Sequence, residues 1–323
     1  MAHQVDALTV ERNAQDRIRP LEEAYVTHPD ETKRRLVAAS SAGGGALGLV
    51  LFVISLWEFR RQRVTSVDEV VQGLGIKMIG TVPALPSRRQ LQMIRTNGAP
   101  DYNWQSILTE SVDTARTMLL HLARSESLKV VMVTSAMSGE GKTSLSSHLA
   151  ASLTRSGRKT LLLDADLRKP SIHRLFGVHR SPGLCELLRS EIELAETIQT
   201  TPAPGLSLIP AGACDDFALQ ALAHGNFQRI CEQLRAEYDF VVVDSAPVLP
   251  VADSLLVAHH VDAVVFSILQ DVSHLPKVHA AHQRLQMLGI RMLGAVVSGT
   301  HVDSYGPDYQ YSRQAVNAIE EES

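Results

Sequence analysis

The sequence predicts an α/β fold, a mainly parallel sheet flanked by helices on both faces, preceded by one transmembrane helix. Three observations predict it. Short runs of Val, Leu and Ile alternate with helical stretches from about residue 104 onward. A charge-free apolar run occupies residues 36–57. The residues able to do chemistry follow the apolar runs, which is where parallel sheets place their ligands.

Residues 36–57 read LVAASSAGGGALGLVLFVISLW. At about 1.5 Å per residue this run extends about 33 Å as a helix, close to the hydrocarbon thickness of a bilayer. Trp57 closes it, where an amphipathic ring suits the interface. The mostly polar residues 1–35 ahead of it argue against a signal peptide. Basic residues flank both ends, Lys33, Arg34 and Arg35 before and Arg60, Arg61 and Arg63 after, so loop charge leaves the orientation open. Gly44 and Gly48 form a GxxxG step that lets two such helices approach closely.

Residues 58–103 read as a juxtamembrane linker, basic at first and then punctuated by Pro83, Pro86 and Pro100 with Gly75, Gly80 and Gly98. Within it a short helix is expected over 64–74 and a short strand over 77–82. The globular domain is expected over 104–300. Its strands are expected over 129–135, 160–166, 206–210, 240–244, 263–269 and 292–298, where apolar residues run continuously as in strands buried on both faces. Helices are expected over 143–155, 227–237 and 279–288.

The chain of 323 residues is 45% apolar and 20% charged, with a net charge of -4. That supports a folded core and shows no dominant basic face of the kind nucleic-acid binding needs. Cys185, Cys214 and Cys231 have no metal-ligand spacing; odd in number and sparse, they predict free or buried thiols in a reducing compartment. The 13 histidines are scattered, and the adjacent His259 and His260 have no partner at zinc spacing.

Three strand exits carry the chemistry. The first expected strand runs into Ala136–Thr143, AMSGEGKT, and a helix follows. Backbone N–H groups of Ser138, Gly139, Glu140 and Gly141 and the start of that helix, through Ser144, are placed to cradle phosphates. Lys142 would reach the β- and γ-phosphates and the Thr143 hydroxyl would ligate Mg²⁺. The second strand exits through Asp164-Ala165-Asp166-Leu167-Arg168. Two carboxylates two residues apart on an extended chain point to one side, where they can hold a metal's water shell and take a proton. The strand over 240–244 ends in Asp244, a further Mg²⁺ ligand by its place after four apolar residues. Together these predict a P-loop nucleotide site for ATP and Mg²⁺, with Thr143, Asp166 and Asp244 around the metal. ATP places the C-terminal side of the span in the cytoplasm and residues 1–35 outside it.

These residue sets, Gly139-Glu140-Gly141-Lys142-Thr143, Asp164-x-Asp166-x-Arg168 and Asp244-Ser245-Ala246-Pro247, resemble the bacterial tyrosine kinases of capsule and exopolysaccharide biosynthesis. Those are P-loop relatives of the MinD/ParA ATPases, and the resemblance covers roughly residues 36–311. Met137 stands where MinD/ParA proteins carry an extra lysine, which favours the kinase branch. The resemblance implies an ATP-dependent tyrosine autokinase of the bacterial inner membrane, single-pass as given. It would phosphorylate in trans a C-terminal tyrosine cluster, here Tyr305, Tyr309 and Tyr311 in the tail 301–323. Lys142, Asp164, Asp166, Arg168 and Asp244 are the implied catalytic set, with Asp164 taking the tyrosine proton and Arg168 orienting the acidic pair or contacting a neighbour. Implied partners are neighbouring subunits, the lipid bilayer, polysaccharide polymerase or export proteins and a tyrosine phosphatase.

Three positions and the domain organisation depart from the family pattern. Ala136 replaces the first glycine of the loop. Asp113 replaces the middle arginine of the ExxRxxR oligomerisation helix, where Glu110 and Arg116 match. Ser298 stands where an asparagine near the adenine is usual. Longer relatives carry a large periplasmic domain between two spans, for which residues 1–35 are too few. Two other functions fit the same residues: a MinD/ParA-like ATPase switch, and a non-catalytic membrane scaffold for polysaccharide export.

Overall fold

The structure is a computed structural model that describes residues 31–61, 63–84 and 104–300. The chain divides into two units, Met1–Glu58 and Phe59–Ser323. Helix α1 (Glu31–Arg61) contains a stretch within the first unit, Thr32–Trp57, long and apolar enough to cross a membrane. Within it the hydroxyls of Ser40 and Ser41 donate back to the carbonyls of Val37 and Ala38 at 3.0 Å. Such internal bonds satisfy polar groups that lipid could not.

The second unit is built on an eight-stranded sheet. Its elements are α2 (Val67–Leu74), β1 (Met78–Pro83), α3 (Trp104–Glu126), β2 (Val130–Thr134), α4 (Lys142–Arg155) and β3 (Thr160–Ala165). The short helices α5 (Ile172–Phe176), α6 (Leu184–Leu188) and α7 (Leu194–Thr197) come next, then β4 (Gln199–Thr200) and β5 (Leu206–Ile209). The chain continues through α8 (Asp216–Ala223), α9 (Asn226–Glu237), β6 (Phe240–Ser245), α10 (Asp253–Ala258), β7 (Ala263–Leu269), α11 (Leu275–Met287) and β8 (Met292–Thr300). Strand order is β1-β8-β7-β2-β6-β3-β5-β4, with every pair parallel except β4 with β5.

Alternation along the strands explains why helices cover both faces. Val130, Met132, Leu161, Leu163, Val241 and Val243 point into one core with residues of α6, α8, α9, α10 and α11. Their neighbours Val131, Val133, Leu162 and Val242 point into the other with α3 and α4. Continuous apolar strands are the sequence consequence of burial on both sides.

The segment expected to be linker is partly sheet. β1 pairs with β8 from Met78↔Ala295 to Pro83↔Thr300, and Val64, Val70 and Ile76 are buried in the core. Pro83 fits because it ends an edge strand, where no ladder donor is missed. Residues 85–103 lie outside the described residues. The cysteines differ from the expectation of free thiols. Cys185 and Cys214 form a disulfide with Cα atoms 5.4 Å apart, although 29 positions separate them. Pairing of β3 with β5 brings the α6 start against the loop after β5, a proximity that spacing in the sequence does not reveal.

Candidate functional site

The loop between β2 and α4 is shaped by left-handed backbone at Gly139 (φ 86°) and Gly141 (φ 81°), which L side chains rarely adopt. Ala136 has an ordinary φ and is fully buried, so glycine's freedom is not needed there. Met137 packs against the core rather than lining the site. Glu140 anchors the loop through its side chain. Its carboxylate turns inward, accepting from Met137 N–H at 2.8 Å, and is buried. Burial pushes its pKa above the usual range against those hydrogen bonds. Ser267, within β7, donates to Glu140 O at 2.8 Å, so the loop is pinned from both sides.

Lys142 and Thr143 open α4. Lys142 Nζ donates to Asp166 Oδ2 at 2.7 Å, and Thr143 Oγ1 donates to Asp244 Oδ2 at 2.7 Å. Burial opposes the charge on Lys142, but Asp244 and Asp166 outweigh it and raise its pKa. The β3–β6 register sets Asp164 directly opposite Asp244. Burial, and then the facing Asp244, raise the Asp164 pKa to about 7. Burial likewise raises Asp244 to about 6, against the lowering pull of Lys142. Asp244 Oδ1 is buried and has no hydrogen-bond partner.

The acidic pair divides its work. Asp166 lines a cavity of about 470 Å³ together with Ser138, Gly139, Gly141, Lys142, Thr143 and Ser144 on one side and Arg168, Lys169 and Pro247 on the other. Asp164 does not reach it. It is fully buried and accepts the N–H groups of Asp166, Ser171 and Ile172 at 3.2–3.3 Å. Asp164, the expected proton acceptor, thus braces the chain entering α5. β3 ends at Ala165, so the two carboxylates do not share one strand's alternation.

Arg168 pairs with Asp253 (2.7 and 3.3 Å), the first residue of α10, which carries no sequence signal of its own. Lys169, Pro250 and Val251 are further lining residues that the motifs did not mark. A second cavity of about 360 Å³ lies on the other flank of α4. Gly141 and Ser144 line both; Leu108, Val112, Leu145, Leu269, Ser298 and Gly299 make the second one largely apolar. On α3, Asp113 accepts from Arg116 (3.1 Å), Arg155 (2.8 Å) and the Ser152 hydroxyl, so it ties α3 to α4. Tyr305, Tyr309 and Tyr311 lie outside the described residues.

The oxygen set of Thr143, Asp166 and Asp244 suits a hard divalent cation, and the unpartnered, buried Asp244 Oδ1 supplies an acceptor that nothing in the protein uses. A glycine loop, a helix start, a buried lysine and acidic strand ends define a P-loop nucleotide-binding protein.

Comparison with known proteins narrows this class. Residues 128–273 match the family model described as an AAA domain. The VpsO kinase domain is 30% identical, with 62% of this chain and 100% of that one covered and a TM-score of 0.54. The chain belongs to the bacterial tyrosine kinase family. The kinase domain of Escherichia coli tyrosine kinase ETK is similar at 26% identity, covering 74% of this chain and 96% of that one, with a TM-score of 0.65. The tyrosine-protein kinase YwqD of Bacillus subtilis is 28% identical over 64% of this chain and 87% of its own length. The chain spans only 38% of EpsB from Ralstonia nicotianae and 38% of ptk from Acinetobacter johnsonii.

Proposed function

We propose that this chain is an ATP-dependent protein-tyrosine autokinase anchored in the bacterial inner membrane by residues 36–57, with its catalytic body over residues 63–84 and 104–300. The observation that carries this reading is the paired contact Lys142–Asp166 and Thr143–Asp244 at the rim of one cavity, with Asp244 Oδ1 unpartnered. Names of relatives, ETK, ptk and YwqD among them, support the acceptor being tyrosine.

The two cavities divide the substrates. The largely apolar one beside Ser298 suits the base of ATP, with Ser144 and Gly141 at the shared wall. The amides of Ser138, Gly139, Glu140 and Gly141 then face the phosphates, and Lys142 exchanges Asp166 for a phosphate oxygen. Mg²⁺, when bound, neutralises charge on the phosphoryl oxygens; Thr143 and Asp244 would hold it, with Asp166 nearby. Asp166 rather than Asp164 presents a carboxylate to the acceptor side, so it orients the tyrosine hydroxyl and takes its proton. Arg168 and Lys169 add positive charge around the same cavity. The tail tyrosines 305, 309 and 311, phosphorylated between neighbouring subunits, would each add roughly -1.5 to -2 charges and loosen the assembly. Regulation of exopolysaccharide or capsule export through polymerase or export proteins and a phosphatase follows from the same reading.

Incubation of the full chain with γ-labelled ATP and Mg²⁺ tests it. Phosphotyrosine should form, and Lys142→Ala should remove at least 10²-fold of the labelling rate, the scale of losing one preorganised charge contact. ATP bound without any phosphotyrosine in the unaltered chain would overturn the proposal.

A further inference from the structure

Away from the phosphate site, the structure brings two sulfur atoms together. Leu184 N–H donates to Pro210 O and Cys185 N–H to Ala211 O, both at 2.8 Å, so the start of α6 lies alongside the loop after β5. The Cα atoms of Cys185 and Cys214 are 5.4 Å apart, within the span a disulfide bridges without backbone movement. Their exposure differs: Cys185 is fully buried, whereas Cys214 is partly exposed. Cys231 is buried in α9, and burial pushes its thiol up to about 12, which leaves it inert.

We infer that Cys185–Cys214 is a reversible thiol–disulfide exchange site for low-molecular-weight thiols of the glutathione class, entered through Cys214. An external thiolate attacks Cys214 Sγ. The Cys185–Cys214 bond breaks, and Cys185 leaves as a thiolate that takes a proton from water. A second external thiolate attacks the external sulfur of the mixed disulfide and releases Cys214. Two external thiols become one external disulfide while the protein disulfide becomes two thiols; oxidation runs the same steps backwards. Cys214, the partly exposed residue, is the one a bulky thiol can approach, and the sulfur of buried Cys185 is the leaving group.

The crosslink has a defined place beside the cavity. Cys214 precedes Asp215, which caps α8 by accepting from Ala218 N–H at 2.8 Å and also accepts from Arg189 at 3.0 Å. The next residue, Asp216, is near enough for its charge to act on Arg168, a lining residue. Reduction frees residues 211–218 from their covalent tie to α6, so this segment is then held by non-covalent contacts alone: its hydrogen bonds, the Arg189–Asp215 ion pair and the burial of Ala211 and Ala218.

The full chain, purified in detergent without reductant, is equilibrated with graded mixtures of reduced and oxidised glutathione, quenched with acid, alkylated and mapped by mass spectrometry. Cys185 and Cys214 should pass together from crosslinked to alkylated within the series, while Cys231 never carries glutathione. Cys185→Ser should accumulate one glutathione on Cys214, and Cys214→Ser should accumulate none; Cys185→Ala replaces the serine variant if that one does not fold. Amide exchange over 211–218 should rise roughly tenfold in the reduced chain as local opening becomes easier. Free Cys185 and Cys214 thiols at every ratio, or a crosslink that survives the most reducing mixture, would each overturn the inference.

Discussion

Asp164 and Asp166 carry the same charge two positions apart, yet each can be removed with a different consequence. Asp166 faces the cavity and neutralises Lys142. Asp166→Asn should therefore lower phosphotyrosine formation by at least about 10²-fold while ATP still binds. Asp164 instead accepts three backbone N–H groups from a fully buried position. Asn offers one acceptor oxygen for them, so Asp164→Asn should cost about 1–3 kcal/mol in thermal denaturation. Glu186 gives the pH dependence at this scale. Burial opposes its charge, but Ala213 N–H, the Ser181 hydroxyl and Gly183 N–H, each at 2.8–2.9 Å, outweigh burial and lower its pKa. A depressed carboxylate contributes stability above its unfolded pKa, and that contribution is lost as pH falls through the folded value. Glu186→Gln should thus lower the melting temperature at pH 7 and flatten the decline below about pH 4.5, in melts recorded without reductant. The residue types at these positions were legible from the sequence; their directions were not. Asp164 and Asp166 share an alternation rule only if the strand continues, and it stops between them. Asp253 could not be found at all, because its partner Arg168 is 85 positions away.

Six of the eight strands follow from apolar runs, because strands buried on both faces must be apolar throughout. The remaining two are an edge problem. β4 has two residues and is paired on one side only, too short to leave a pattern. β1 was visible as a short strand but not as part of the sheet, since its partner β8 lies more than 200 positions later. What seats β1 is a close approach to α3. A Cβ added at Gly80 would stand 2.9 Å from Ala115 Cβ and 3.2 Å from Ala115 Cα, so the strand and helix touch through glycine. Gly80→Ala should destabilise the full chain by about 1–3 kcal/mol through overpacking. Ala115→Gly in the same chain should recover part of that loss beyond the sum of the single changes, a coupling that only contacting residues show. Urea denaturation of the four chains of this cycle measures it; simple additivity would mean that β1 and α3 do not meet here.

At the scale of the molecule, the sheet order places β2 between β7 and β6, with β3 beyond β6. The carboxyl ends of β2, β3 and β6 therefore supply the phosphate loop and both acidic exits to one cavity, and those of β7 and β8 line its neighbour across α4. Alternation in the sequence announced such a sheet, but strand order depends on which crossovers pack, and that information is spread over the whole core. The first unit is simpler, because its argument needs only length and composition. Helix α1 is exposed along its apolar stretch, with Leu47, Leu49, Leu51, Phe52 and Trp57 all open, and charges are confined to its two ends. An apolar surface on every side of a helix has no stable place in water, so lipid is the solvent it fits. Leu47 stands near the middle of residues 36–57. An arginine there would sit about 15 Å from either interface, beyond easy snorkelling, at a cost of roughly 2.5–3.5 kcal/mol of insertion free energy. Leu47→Arg should shift a large share of the chain out of the alkaline-carbonate-resistant membrane fraction. Arginine at Glu58, just past the apolar run, should leave that fraction unchanged. Equal membrane retention for the unaltered chain and Leu47→Arg would mean that the helix does not cross the bilayer.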